Sequence, residues 1–187
     1  EAWLAPFARA LGEDADQFGC PLLGGDTVST PGPAMISVTA FGRVPRGKMV
    51  RRSTARIGDA LVVSGTIGDA TLGLAILKGE EGPLDNDAAR AALIERYRVP
   101  QPRVALAQAV REHASAAMDI SDGLMGDLAK LCDVSGVSAI VQANSVPLSE
   151  PGRAWLARDP GAIARLVSGG DDYEILCTVP ENRLAAF

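Results

Sequence analysis

Three acidic, glycine-bearing corners lie far apart in this chain: GGDT at Gly24 to Thr27, DISDGL at Asp119 to Leu124, and GGDDYE at Gly169 to Glu174. Each stands where a short apolar run meets a turn or a helix, and each sets a carboxylate beside glycines or a small hydroxyl residue. Glycine leaves the backbone open to close approach, and carboxylate oxygens are the donors that hard cations take. Corners of this kind need a layered fold that carries strand ends to common ground. The pattern points to magnesium-nucleotide chemistry.

Charge makes the cation necessary. The net charge is -5, which by itself repels a polyphosphate, and the 18 Lys and Arg residues are scattered instead of massed. That distribution lacks the basic footprint of a nucleic-acid binder. Divalent cations held by aspartates would neutralise the phosphates instead. No apolar run approaches the roughly 18 residues of a membrane span, and the start EAWLAPFARA lacks a basic leader and a long apolar signal core. A cytoplasmic location without nucleic-acid or membrane partners is the expectation. Cys20, Cys132 and Cys177 are too widely spaced for a zinc pair and odd in number, so reduced structural thiols are expected. His113 is the single histidine, which excludes a multi-histidine metal site within the chain.

Hydrophobic periodicity predicts a first helix to about Leu11 and then strands at Cys20–Leu23 and Ala34–Val44. The basic segment Arg43 to Arg56 reads as a connection between domains. Beyond it, strands are expected at Ala60–Ser64, Ala116–Ile120, Ala139–Ala143 and Tyr173–Val179. Helices are expected at Asp69–Lys78, Asp87–Tyr97, Arg103–Glu112, Asp122–Cys132 and Ala162–Val167, with another after Pro180. Strands and helices alternate without a solenoid repeat, the signature of a mixed α/β or α+β layered fold. The chain begins and stops within helical patterns, so either end is expected to be a cut within a longer protein.

In DISDGL, Asp119 would close a strand while Ser121 and Asp122 open the next helix, where unpaired N–H groups also point. That corner suits a metal and its phosphate, and the spacing fits a plain helix cap equally well. Gly-Gly-Asp in GGDT is also ordinary turn material. Adjacent Asp171 and Asp172 repel each other unless a cation lies between them or water solvates the turn. Two other motifs are set aside. GRVPRGKM at Gly42 to Met49 matches the first seven positions of a phosphate-binding P-loop, but Met49 stands where magnesium needs Ser or Thr. The stretch from Asp119 lacks the later ligands of a calcium loop.

Taken in order, GGDT, GRVPRGK with VRRSTARIGD, LVVSGTIGDATLGLAIL, AMDISDGLMGDLAKLC and SGGDDYEIL closely resemble thiamine-monophosphate kinases across nearly the whole chain. That family shares its two-domain architecture with aminoimidazole ribonucleotide synthetase, selenophosphate synthetase and a hydrogenase-maturation protein. The resemblance implies an aminoimidazole ribonucleotide synthetase-like α+β fold with mixed sheets flanked by helices. Residues 1–46 would be the latter part of an N-terminal ATP-binding domain and residues 47–187 most of a second domain. It implies ATP-dependent, Mg2+-assisted phosphorylation of thiamine monophosphate to thiamine diphosphate by a homodimer, with no side chain acting as a chemical catalyst.

Residue by residue, the resemblance makes Asp26, Asp119 and Asp122 metal ligands, and gives ATP contacts to Gly25, Asp26, Arg52 and Ser121. Asp171 would meet the thiamine moiety, standing where the family has Glu; Thr54 stands where its Arg-Ser-Gly segment has Gly. Asp69 reads as a helix cap. The family's Asp-Asp metal motif and the aromatic residue that stacks on substrate have no counterpart in this chain, so the chain alone is expected to be inactive. A related ATP-dependent synthetase and a non-catalytic metal-nucleotide binding domain are the alternatives.

Overall fold

The computed structural model describes residues 2–80, 82 and 84–187. It divides into two compact units, Glu1–Val44 and Pro45–Phe187.

In the first unit, α1 spans Leu4–Gln17, six residues past the predicted end at Leu11. The single Gly12 costs only about 1 kcal/mol and does not stop a helix. Gly19 does, at φ +62, while the Cys20 N–H returns to the Ala15 carbonyl at 2.9 Å. Trp3, just before α1, and Phe7 within it meet edge to face, with ring centroids 5.7 Å apart. The predicted strands Cys20–Leu23 and Ala34–Val44 do not form: residues 20–44 are exposed and carry no ladder. Strand backbone is stable only when a neighbour takes its hydrogen bonds, and no described segment of this unit supplies one. Met35 is 87% exposed and Phe41 82%.

The second unit is built on an antiparallel sheet in the order β1-β3-β2, from β1 (Asp59–Val63), β2 (Ala116–Ile120) and β3 (Glu174–Pro180). Central β3, EILCTVP, is largely buried and reads as a nearly continuous apolar run; Val62 and Ala117 both pair with its Cys177. Helices α2 (Asp69–Leu77) and α3 (Asp87–Arg98) pack closely together. Gly73 permits this, because a Cβ there would lie 2.1 Å from the Leu93 carbonyl oxygen. Asn86 caps α3, its side chain accepting from the N–H groups of Ala88 at 2.9 Å and Ala89 at 3.3 Å. The core gathers Ile67, Leu72, Leu93, Ile120, Leu131, Leu166 and Leu176.

The predicted helix Arg103–Glu112 starts instead as a 3-10 turn, Val104–Leu106, before α4 (Ala107–His113). Arg103 stands outside it because its guanidinium is drawn to buried Glu174, donating from Nε at 2.6 Å. Helix α5 covers Leu124–Ser135, and α7 covers Ala162–Ser168. Between them lies α6 (Glu150–Arg158), started by Ser149 accepting from the Gly152 N–H at 3.0 Å and anchored by buried Trp155. Residues 139–143 are not a strand: β1 hydrogen-bonds only to β3, and Ile140 is 92% exposed. After β3, Glu181–Arg183 makes a 3-10 turn where a helix was expected. No described helix is long and apolar enough to cross a membrane.

Candidate functional site

Two of the three acidic corners are one place in the structure. DISDGL follows β2 and GGDDYE precedes β3, and because β2 and β3 are paired neighbours, the two turns meet at the same end of the sheet. The Asp171 N–H donates to the Ser121 carbonyl and the Tyr173 N–H to the Ile120 carbonyl, both at 2.9 Å. Glycines make the junction this tight. A Cβ on Gly170 would lie 2.4 Å from the Ser121 carbonyl oxygen, and one on Gly123, at φ +115, would lie 2.5 Å from the Ser168 carbonyl oxygen.

Gly123 also moves the start of α5. The helix begins at Leu124, so Ser121 and Asp122 precede it and neither side chain caps it. The capping reading is thus set aside by backbone conformation. Their N–H groups both donate to buried Asp127 Oδ2 at 2.9 Å, which fixes the turn from inside the helix. Lys130 Nζ closes the arrangement, donating to Asp127 Oδ1 at 2.9 Å and pairing with Asp122.

Asp119, on β2, is exposed, Asp122 is exposed, and Asp171 is half-buried. Tyr173 reports their shared field: its phenol is pushed above the usual tyrosine range, first by burial, then by Asp171, with Asp119 and Asp122 adding to it. Among the described residues, Asp171 at φ 71 and Tyr173 at φ 50 are the non-glycine residues in the left-handed region, both in this turn. Strain of this kind persists where surrounding structure imposes it and gathers at functional sites.

The remaining acids serve structure. Asp172 is buried and caps α2, accepting from the N–H groups of Gly68 at 2.7 Å and Ala70 at 3.2 Å. Burial pushes its carboxyl up to about 6 against the pull of those two hydrogen bonds. Asp69, expected as a cap, is instead the first residue of α2 and accepts from the hydroxyls of Thr66 at 2.6 Å and Ser149 at 2.5 Å. Glu174 is fully buried and accepts from Ser64 at 2.6 Å, Arg96 at 2.9 Å and Arg103.

The structure therefore brings Asp119, Ser121, Asp122 and Asp171 together. Arg52 is not part of this corner: Ser135, at the far end of α5, donates to its carbonyl at 3.0 Å, and a helix of that length spans about 18 Å. Gly25 and Asp26 belong to the first unit, in an exposed segment where the Thr27 N–H donates to Asp26 Oδ1 at 2.8 Å. Among the described residues no three His, Cys, Asp or Glu side chains gather into a complete metal cage. The donor set still fits a magnesium ion bound partly by phosphate oxygens. Asp119 and Asp122 offer hard carboxylate oxygens, and Asp122 already carries a cation in the ammonium of Lys130.

The chain has known relatives. A thiamine-monophosphate kinase of Caulobacter vibrioides is 47% identical over 184 residues, covering 97% of this chain and 51% of that protein. The solved thiamine-monophosphate kinase of Stenotrophomonas maltophilia K279a superposes with a TM-score of 0.69 at 39% identity, over 76% of this chain and 46% of that one. AaThiL complexed with AMPPCP and TMP superposes with a TM-score of 0.65 at 36% identity, over 72% and 43%. The chain spans about half the length of the curated relatives it matches. The model of the AIR synthase related protein C-terminal domain matches residues 56–187, and that of the N-terminal domain matches residues 1–44. The chain belongs to the AIR synthase related protein family and is similar to its thiamine-monophosphate kinases.

Proposed function

We propose that the protein carrying this chain transfers the γ-phosphoryl group of ATP to the phosphate of thiamine monophosphate, forming thiamine diphosphate and ADP. The joined corner carries the reading: two exposed aspartates, a serine and a third aspartate in an imposed turn meet on a glycine floor, in a chain similar to thiamine-monophosphate kinases. Phosphoryl transfer asks the protein mainly to align reactants and neutralise charge. Bound Mg2+ supplies that neutralisation.

Asp119 and Asp122 would hold the metal, and Ser121 would contact ATP. Asp171 would pair with the cationic thiamine moiety. Asp26 is also proposed as a metal ligand, Gly25 as a close backbone approach to the nucleotide, and Arg52 as a contact to ATP phosphate. An acceptor phosphate oxygen attacks the γ-phosphorus while the bond to the β–γ bridging oxygen breaks, and that oxygen leaves on ADP. No side chain need exchange a proton, because acceptor and leaving group are anionic oxygens.

A homodimer and a cytoplasmic setting belong to the proposal. Cys20, Cys132 and Cys177 are unpaired, as suits a reducing compartment. The test incubates the whole protein with magnesium-ATP and thiamine monophosphate, selenide or an aminoimidazole-forming ribonucleotide. Thiamine diphosphate formation supports the proposal; turnover only with either other acceptor, or with none, overturns it.

A further inference from the structure

The Lys130 ammonium is shared unequally by two carboxylates. Asp127 is buried, and its Oδ2 is spent on the Ser121 and Asp122 N–H groups at 2.9 Å, leaving Oδ1 to receive Nζ at 2.9 Å. Asp122 is 67% exposed at its side chain and pairs with the same Nζ from the solvent side. A buried carboxylate strongly requires its counter-charge, whereas an exposed one loses little when its partner leaves. Lys130 is therefore tethered by Asp127 and lent to Asp122.

We infer that Lys130 is a built-in counter-cation for the metal corner: Nζ neutralises Asp122 while no divalent ion is bound, and yields Asp122 to the ion while keeping Asp127. The inference rests on the proposed role of Asp122 as a metal ligand. Helix α5 places Nζ within reach of both acids, so releasing Asp122 requires only a change in the side chain's terminal torsions, with the backbone turn still held by Asp127. The device keeps the turn from splaying through carboxylate repulsion when empty, and its competition sets how tightly the corner grips the ion.

The experiment measures Mn2+ binding to the whole protein by electron paramagnetic resonance, with the ATP analogue AMPPCP at saturation, for wild type, Lys130→Gln, Lys130→Arg and Asp122→Asn. Lys130→Gln removes the competing charge and should tighten Mn2+ about fivefold, the scale of one exposed charge at contact. Lys130→Arg keeps the charge with a two-pronged grip and should bind Mn2+ no tighter than wild type. Asp122→Asn should weaken it. If Asp122→Asn weakens binding but folded Lys130→Gln does not tighten it, the counter-cation role is wrong and the metal assignment stands. If Asp122→Asn changes nothing, both fall. Should Lys130→Gln fail to fold, tighter Mn2+ binding by Lys130→Arg overturns the inference and equal or weaker binding supports it.

Discussion

Asp172 bears the electrostatic cost of packing GGDDYE against the start of α2. Unfolded, its carboxyl titrates near 3.8; folded, burial raises it to about 6. Between those values the folded state binds more protons than the unfolded, so this contribution to stability is complete below 3.8 and is lost as pH rises through about 6. A shift of that size corresponds to about 3 kcal/mol. Chemical denaturation between pH 4 and 7 should show wild-type stability falling relative to Asp172→Asn across this window; parallel curves would refute the assignment. Its neighbour Asp171 carries the proposed contact to the thiamine moiety. Asn tolerates the same left-handed backbone, so Asp171→Asn should keep its melting temperature while the KM for thiamine monophosphate rises about tenfold, the scale of one charge-assisted contact. An equal rise in the KM for ATP would place Asp171 elsewhere in the reaction.

Helix pair α2 and α3 shows how a single residue decides an element. In an exposed helix Gly→Ala stabilises by about 1 kcal/mol, but at Gly73 the added carbon meets the Leu93 backbone oxygen. Overpacking of this kind costs about 1–3 kcal/mol, so urea unfolding of Gly73→Ala should show a net loss of stability; a gain would mean the helices part easily. The sheet was legible for a related reason. The apolar runs at Ala60–Ser64, Ala116–Ile120 and Tyr173–Val179 fall within a residue of the observed strands because turns bound each one. Residues 139–143 have the same composition and no pairing partner, a tertiary fact that local pattern does not hold. Segments 20–23 and 34–44 fail as strands likewise. Helix α6 has no counterpart among the expected helices, because Pro151 and Gly152 interrupt the helical pattern, although Ser149 followed by Glu and Pro is a valid helix start. Gly123 hid the true role of Asp127: a carboxylate reaching back from inside α5 replaces the expected cap.

For the molecule as a whole, sheet topology turns distant sequence into one site. DISDGL and GGDDYE lie almost fifty residues apart and meet only because β2 and β3 pair. Their acidic glycine pattern was readable, but their union depends on register, and the Lys130 and Asp127 support has no motif of its own. The second unit places no arginine or lysine beyond Lys130 in ion-pair contact with Asp119, Asp122 or Asp171 among the described residues. Under the proposed function, magnesium would offset the repulsion between a polyphosphate and this acidic corner. The most direct test measures thiamine diphosphate formation by the whole protein and its Asp122→Asn variant across a magnesium titration. The account predicts no turnover without magnesium and a fall in kcat of about a hundredfold or more in the folded variant, the scale of losing one preorganised charge contact in the transition state. Unchanged turnover in Asp122→Asn, at any magnesium concentration, would contradict it.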